Sequence, residues 1–235
     1  MERIVCLVIG YIFGLFQTGY LYGKAHHVDI RKRGSGNAGT TNALRTMGWK
    51  AGAVTFLGDC FKCVFAVVVV HLLFAKNYGD ILPLLSMYAG MGAVLGHNYP
   101  FYMHFKGGKG IAATAGLLVS TTNVWMVLIC LVSFVLIVGV TRYVSLGSLA
   151  VVIIYLIEII VYGKMGGFGM QGAHLMEMYI IQQRLDQMIQ LQVQRLTSVQ
   201  LMKQITILVI QQECAHIWMQ VFQYQPQRLQ QLVHR

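Results

Sequence analysis

Ser35, Asn37, Thr41, Asn42 and Arg45 fall within one short stretch, Gly34-Ser35-Gly36-Asn37-Ala38-Gly39-Thr40-Thr41-Asn42 with Arg45 just beyond it. A second stretch runs from Gly96-His97-Asn98-Tyr99-Pro100 into Lys106-Gly107-Gly108-Lys109-Gly110. Glycine lets a backbone approach a ligand closely, and consecutive N–H groups beside Lys or Arg make a concave, positive nest. Both stretches therefore suit an anion, and phosphate is the first choice. In the first, Ser35, Asn37, Thr40, Thr41 and Asn42 supply neutral donors, while Arg45 offers a planar fork matched to phosphate oxygens. A basic loop lying beside anionic lipid is the plainer reading, but such a loop does not need this density of Gly with Ser, Thr and Asn. The second stretch is not a nucleotide P-loop, which requires Gly-x4-Gly-Lys followed by Ser or Thr. Here Gly110 follows Lys109, and Met103 stands five residues before Gly108. What remains is Lys106 and Lys109 flanking Gly107-Gly108. His97, at a helix end, is open to two roles: a general base, or a hydrogen-bonding and capping residue.

A third segment, Arg142-x-x-Ser145-x-x-Ser148, has the i, i+3 spacing of one helical face at a helix entrance. Serines there either complete a polar site or bond to a neighbouring helix. Asp59 and Lys62 share the same spacing inside an apolar run, where charges are expensive and should face the bundle interior, paired or near a ligand.

The elements that position these residues are membrane helices. The chain has 235 residues, 56% of them hydrophobic and 11% charged, with a mean hydropathy of +0.60, too apolar for an ordinary soluble domain. Apolar residues come in unbroken runs, at 4–22, 51–74, 81–95, 111–140 and 144–162, and not in the alternating ten-residue strands of a barrel. Ser120-Thr121-Thr122-Asn123 are turn formers that divide the fourth run. With that turn, all three polar segments meet on one side of the membrane. The formal charge of +10 raises nucleic acid as a partner, but 12 of the 18 Lys and Arg lie before residue 163, mostly in loops between the runs. That placement fits the positive-inside bias and no nucleic-acid face. Residues 24–50 hold six Lys or Arg against one Asp, which makes that loop cytoplasmic. Five cysteines, an odd number and mostly within apolar stretches, argue against a disulfide framework. Cys60-x-x-Cys63 lacks the second pair a zinc site needs, so no metal ligand set is apparent.

Taken in order, the Gly34 to Arg45 stretch, Asp59-x-x-Lys62, Gly96-His97 through Gly110, and Arg142 with Ser145 and Ser148 resemble the bacterial acyl-phosphate-dependent glycerol-3-phosphate acyltransferases, the PlsY family. The resemblance covers roughly residues 1–178. It implies an all-α polytopic bundle with seven transmembrane helices in the bacterial plasma membrane, its site facing the cytoplasm. It implies transfer of an acyl chain from acyl phosphate to the 1-hydroxyl of glycerol 3-phosphate, giving lysophosphatidic acid and phosphate with no cofactor. His97, Lys109 and Ser35 are then the expected catalytic residues. Gly36, Asn37, Thr41, Asn42, Arg45, Lys62, Asn98, Lys106, Gly107, Gly108, Arg142, Ser145 and Ser148 are expected to bind the substrate phosphates. No Ser-His-Asp arrangement is evident, so no acyl-enzyme is expected.

Beyond residue 181 the chain departs from the family pattern, which ends in a last helix and a basic His-Arg-x-Asn-type segment. Sixteen of the 18 Gln fall in residues 182–235, and neither His216 nor His234 has the expected neighbours. The reading is a membrane acyltransferase domain over residues 1–181 followed by a Gln-rich tail over 182–235, with the seventh helix in question and residues 178–201 able to form an amphipathic surface helix. Two other classes fit parts of the pattern. One is a small organophosphate or anion transporter, though no matching halves are seen; the other is an inactive remnant of the acyltransferase.

Overall fold

A buried glutamine divides the first apolar run. In the computed structural model, which describes residues 1–194, α1 (Glu2–Gly14) stops and α2 (Thr18–Ala25) restarts beyond Gln17. Breaking a helix within hydrocarbon frees carbonyls that must find donors. Side chains from elsewhere supply them: Tyr102 donates to Leu15 O (2.6 Å) and Lys62 to Phe16 O (2.8 Å). Gln17 Nε2 itself donates to His97 O (2.9 Å), with Gly14 O and Gly96 O each 3.4 Å away.

The remaining helices are α3 (Thr40–Met47), α4 (Trp49–Phe74), α5 (Leu82–Asn98), α6 (Ile111–Thr121), α7 (Val124–Thr141), α8 (Val144–Lys164) and α9 (Ala173–Gln194). Five segments among the described residues are long and apolar enough to cross a membrane: Glu2–Ala25, Trp49–Phe74, Gly79–Met103, Val124–Thr141 and Val144–Lys164. The described chain is an all-helical polytopic membrane bundle. Against the seven spans implied by the resemblance, α6 is too short and α9 too polar to qualify by composition. The fourth apolar run divides where its turn formers stand. Thr121 ends α6, and Asn123 caps α7 by accepting from the Met126 N–H (3.1 Å).

The tightest crossing joins α1 to α5. Gly10 and Gly14 face Gly92 and Gly96, and a Cβ on any of the four would overlap backbone of the opposite helix. Lipid tails are as apolar as leucine, so helices associate in a membrane through such close backbone packing and not through water exclusion. On α4, Cys60 and Cys63 sit against Gly116 of α6. The exposed apolar side chains of α7, among them Trp125, Leu128, Ile129, Val132, Leu136 and Val140, are what a lipid-facing helix presents.

The chain alternates between two ends of the bundle. At one, Arg3 makes a paired contact with Glu177 (2.7 and 3.0 Å), which also accepts from the Tyr88 hydroxyl. At the other, Gln192 donates to the Tyr99 hydroxyl (2.8 Å). Helix α9 therefore spans the bundle, and its 22 residues at about 1.5 Å each are long enough to do so. The sequence allows residues 178–201 an amphipathic surface helix. Over the described part the polar residues instead turn inward: Gln182 and Asp186 are 0% and 1% exposed, and Gln182 donates to Asp186 (2.7 Å). Spaced i, i+4, they share that one bond, while Gln182 Oε1 and Asp186 Oδ2 stay buried without a protein partner among the described residues. Residues 195–201 and the rest of the Gln-rich tail lie outside the described residues.

Candidate active site

The first glycine-rich loop is assembled by one side chain. Asn42, 2% exposed, accepts from the Ser35 N–H (2.9 Å) and donates to the carbonyls of Ile30 (3.2 Å), Arg33 (3.0 Å) and Asn37 (2.9 Å). Gly34 (φ 57°) and Gly36 (φ 70°) take the left-handed conformation this path demands. Asn37 Oδ1 accepts from the Gly39 N–H (2.9 Å), leading into α3. Ile30, Ala38 and Ala43 anchor the loop in an apolar cluster with Ala51 and, from the second loop, Met103. Ser35, Thr41 and Arg45 are left exposed. Arg31, by contrast, is engaged with Asp29 (3.0 Å) and stacks over Tyr20 (4.6 Å).

The second loop folds back on the end of α5. The Gly107 N–H donates to Asn98 O and the Gly108 N–H to His97 O, both at 3.0 Å. There is no room for side chains there: a Cβ on Gly107 would overlap His97 O, and one on Gly108 would overlap His97 Nε2. Gly107 and Gly108 thus shape the loop with their amides turned inward, whereas the sequence suggested N–H groups open to a ligand. The same holds for Gly36, whose N–H donates to Arg33 O (3.0 Å). Lys106 is exposed and Lys109 half-buried, and Gly110 opens α6, whose first-turn amides have no intrahelical acceptor. Burial and, after it, the neighbouring charge of Arg45 hold the Lys109 ammonium below the usual lysine range. Met103 packs with Ala38 and Ala43, so the cations of the two loops lie at the same end of the bundle.

Beneath the loops lies a polar interior. Lys62 donates to Asp59 Oδ1 (2.9 Å), Phe16 O and His97 Nδ1 (2.7 Å), and Thr18 also donates to Asp59 Oδ1 (3.1 Å). The interior pairing expected of Asp59 and Lys62 is present. Thr55 Oγ1, Asp59 Oδ2, Gln17 Oε1 and both amide atoms of Asn98 are buried without a protein partner, so unused polar valence is concentrated under the loops. Gln17, Thr18 and Thr55 escaped the sequence reading because an isolated threonine, or one short polar pair, within an apolar run forms no recognisable motif. Their one signal was the adjacent Gln17-Thr18 pair within residues 4–22.

The third segment is less closely joined. Arg142 ends α7 with φ 61°, Ser145 is half-buried, and the buried Ser148 donates to Val144 O (2.9 Å) within α8. Its tie to the other two is the helix count, which returns the α7–α8 turn to the end of the bundle that carries the loops. Elsewhere, Ser86 and His71 are 2.9 Å apart, but the serine hydroxyl donates to Leu82 O and is 1% exposed, so it is not poised as a nucleophile.

Residues 4–194 match the family model described as glycerol-3-phosphate acyltransferase. The chain is 46% identical over 147 residues to a glycerol-3-phosphate acyltransferase of Clostridioides difficile (strain 630), covering 62% of this chain and 71% of that protein. It is 41% identical over 150 residues to one of Thermoanaerobacter sp. (strain X514), covering 63% and 72%. Among solved structures, the glycerol 3-phosphate form of PlsY (YgiH), an integral membrane glycerol 3-phosphate acyltransferase, superposes with a TM-score of 0.69 at 26% identity. That match covers 83% of this chain and 90% of the other. The lysophosphatidic acid form of the same enzyme shares the fold, with a TM-score of 0.67 at 24% identity over 82% and 88% of the two chains.

Proposed function

The chain belongs to the glycerol-3-phosphate acyltransferase family, and we propose that its two glycine-rich loops hold acyl phosphate and glycerol 3-phosphate together while the acyl group passes to the 1-hydroxyl. The products are lysophosphatidic acid and inorganic phosphate. The observation that carries the assignment is the packing of the two loops on one apolar cluster, Ile30, Ala38, Ala43 and Ala51 with Met103, which sets the cationic side chains of both loops at the same end of the bundle.

Acyl phosphate is already activated, so the protein's work is positioning and charge stabilisation. Ser35, Thr41, Arg45, Lys106 and Lys109 provide the outward-facing donors, joined by the first-turn amides of α6. Gly36, Asn37, Asn42, Gly107 and Gly108 hold those donors in place. Attack by the 1-hydroxyl on the carbonyl expels phosphate, and a phosphate oxygen of the substrates takes the proton. Arg142, Ser145 and Ser148 close the site from the α7–α8 turn.

The orientation follows from charge. The end of the bundle carrying the loops holds nine Lys or Arg, at 24, 31, 32, 33, 45, 50, 106, 109 and 142, against three at the other end, at 3, 76 and 164. The positive-inside bias supports a cytoplasmic loop end, in keeping with the bacterial relatives.

Purified protein in lipid, given palmitoyl phosphate and glycerol 3-phosphate, is expected to release phosphate and form lysophosphatidic acid. Lys109→Ala should lower turnover by about 100-fold, the effect typical of removing one transition-state donor. Uptake of glycerol 3-phosphate into sealed vesicles without acylated product would overturn the assignment in favour of transport.

A further inference from the structure

Lys62 has the charge of a phosphate ligand but not the position of one. An ammonium carries three N–H donors. Those of Lys62 are met by Phe16 O at 2.8 Å, Asp59 Oδ1 at 2.9 Å and His97 Nδ1 at 2.7 Å, and the side chain is 4% exposed. We propose that Lys62 is a positioning residue for acyl transfer: held by Asp59, it ties the break between α1 and α2 to the ring of His97 and sets that ring's proton on Nε2, behind the Gly107-Gly108 turn. Only the kinetic consequence of this role rests on the acyl-transfer reading.

The tautomer follows from donor counting. A lysine ammonium cannot accept a hydrogen bond, so His97 Nδ1 must present its lone pair to Lys62, and a neutral ring then carries its proton on Nε2. With Nδ1 occupied and Nε2 protonated, His97 has no free lone pair with which to act as a base. Its ring is instead a wall, because Nε2 is the atom on which Gly108 packs. The backbone repeats the arrangement: His97 O accepts from both Gln17 Nε2 (2.9 Å) and the Gly108 N–H (3.0 Å). One node therefore joins the α1–α2 break, α4, the end of α5 and the loop that carries Lys109. Asp59 neutralises the buried cation and accepts from Thr18 of α2 through the same oxygen. An angstrom of drift in this node moves Lys109, and displacements of that size cost about 100-fold in rate.

The test combines nitrogen chemical shifts with kinetics on the full-length protein in lipid nanodiscs. With histidine labelled by 15N, and His97 assigned by difference from His97→Gln, the parent protein should show a protonated-type Nε2 and an unprotonated-type Nδ1. In Lys62→Met, and in the charge-free pair Asp59→Asn with Lys62→Met, the His97 ring should lose that preference and show mixed tautomers. Turnover should fall about 100-fold, with KM for glycerol 3-phosphate shifted less than in Arg45→Ala, and Lys62→Arg should recover part of the rate. A His97 tautomer unchanged in Lys62→Met overturns the proposal. So does a rise in KM matching that of Arg45→Ala with kcat kept, which would make Lys62 a phosphate ligand after all. The nitrogen shifts need no turnover, so they decide the positioning role separately from the acyl-transfer assignment.

Discussion

The two glycine-rich loops look alike in sequence and are built on opposite principles. The first is organised by a side chain: Asn42 gathers one N–H and three carbonyls, and Gly34 and Gly36 take the positive φ of its path, Gly34 also pressed against Asn42 Oδ1. The second is organised by backbone: Gly107 and Gly108 donate to carbonyls at the end of α5, and glycine serves because nothing larger fits against His97. In both, the loop amides named here are satisfied inside the protein, and the groups left facing outward are side chains. A glycine-rich loop at a proposed phosphate site need not be a nest of free N–H groups. It can be a scaffold that aims Ser35, Arg45 and Lys109.

The sharpest way to break this contrast is to add one methyl group to the second loop. In Gly107→Ala the new Cβ would overlap His97 O, a backbone atom that cannot rotate away. The loop must shift, and acyl transfer should fall by about 100-fold or more in initial-rate measurements. A rate within threefold of the parent would mean that the loop is not wedged. The first loop should fail through its hub instead. Asn42→Ala removes the bonds to Ser35, Ile30, Arg33 and Asn37, each worth about 1 kcal/mol net. A loss of about 2–4 kcal/mol is expected in thermal unfolding, with proteolytic cleavage appearing within residues 30–39 and turnover down about tenfold.

Much of this was legible in sequence, and what escaped did so for physical reasons. The turn at residues 122–123 was readable because Ser120 to Asn123 are local turn formers, and the interior pairing of Asp59 with Lys62 because lone charges in lipid are too costly. The break after Gly14 was not readable. Gln17 finds its partner in His97 O, 80 positions along the chain, and no local pattern announces a contact at that range. Nor does composition tell which way a glycine amide points, so the sequence did not show that the Gly107 and Gly108 amides bond to carbonyls at the end of α5. Helix α9 misled for the converse reason. Glutamines read as solvent-facing, yet Gln182 and Asp186 are buried and joined by one hydrogen bond.

Lys109 of the second loop feels the charge of Arg45 of the first, which has a pH signature. Burial first, then Arg45, holds Lys109 below the usual lysine range, so its charge is lost at lower pH than that of a free lysine. Phosphate affinity should therefore decline early on the alkaline side, in the kcat/KM profile that reports the free enzyme. Arg45→Ala removes the repulsion and should move that alkaline limb to higher pH while weakening binding overall by several-fold. An unmoved limb would mean that the two loops do not share an anion.

The smallest expected effect isolates conformation from contact. Gly36 lies at φ 70°, and a Cβ there would come 3.0 Å from Arg31 O, tight but tolerable with a small shift. Its main penalty as alanine is the left-handed backbone, about 1–2 kcal/mol. Asparagine adopts that region more readily because its short polar side chain bonds locally, so Gly36→Asn should recover part of the stability lost in Gly36→Ala. At Gly107, where contact and not φ is at issue, asparagine should be worse than alanine. Thermal unfolding of the four variants reads this directly, and the same rank order at both positions would erase the distinction between a loop built on conformation and a loop built on space.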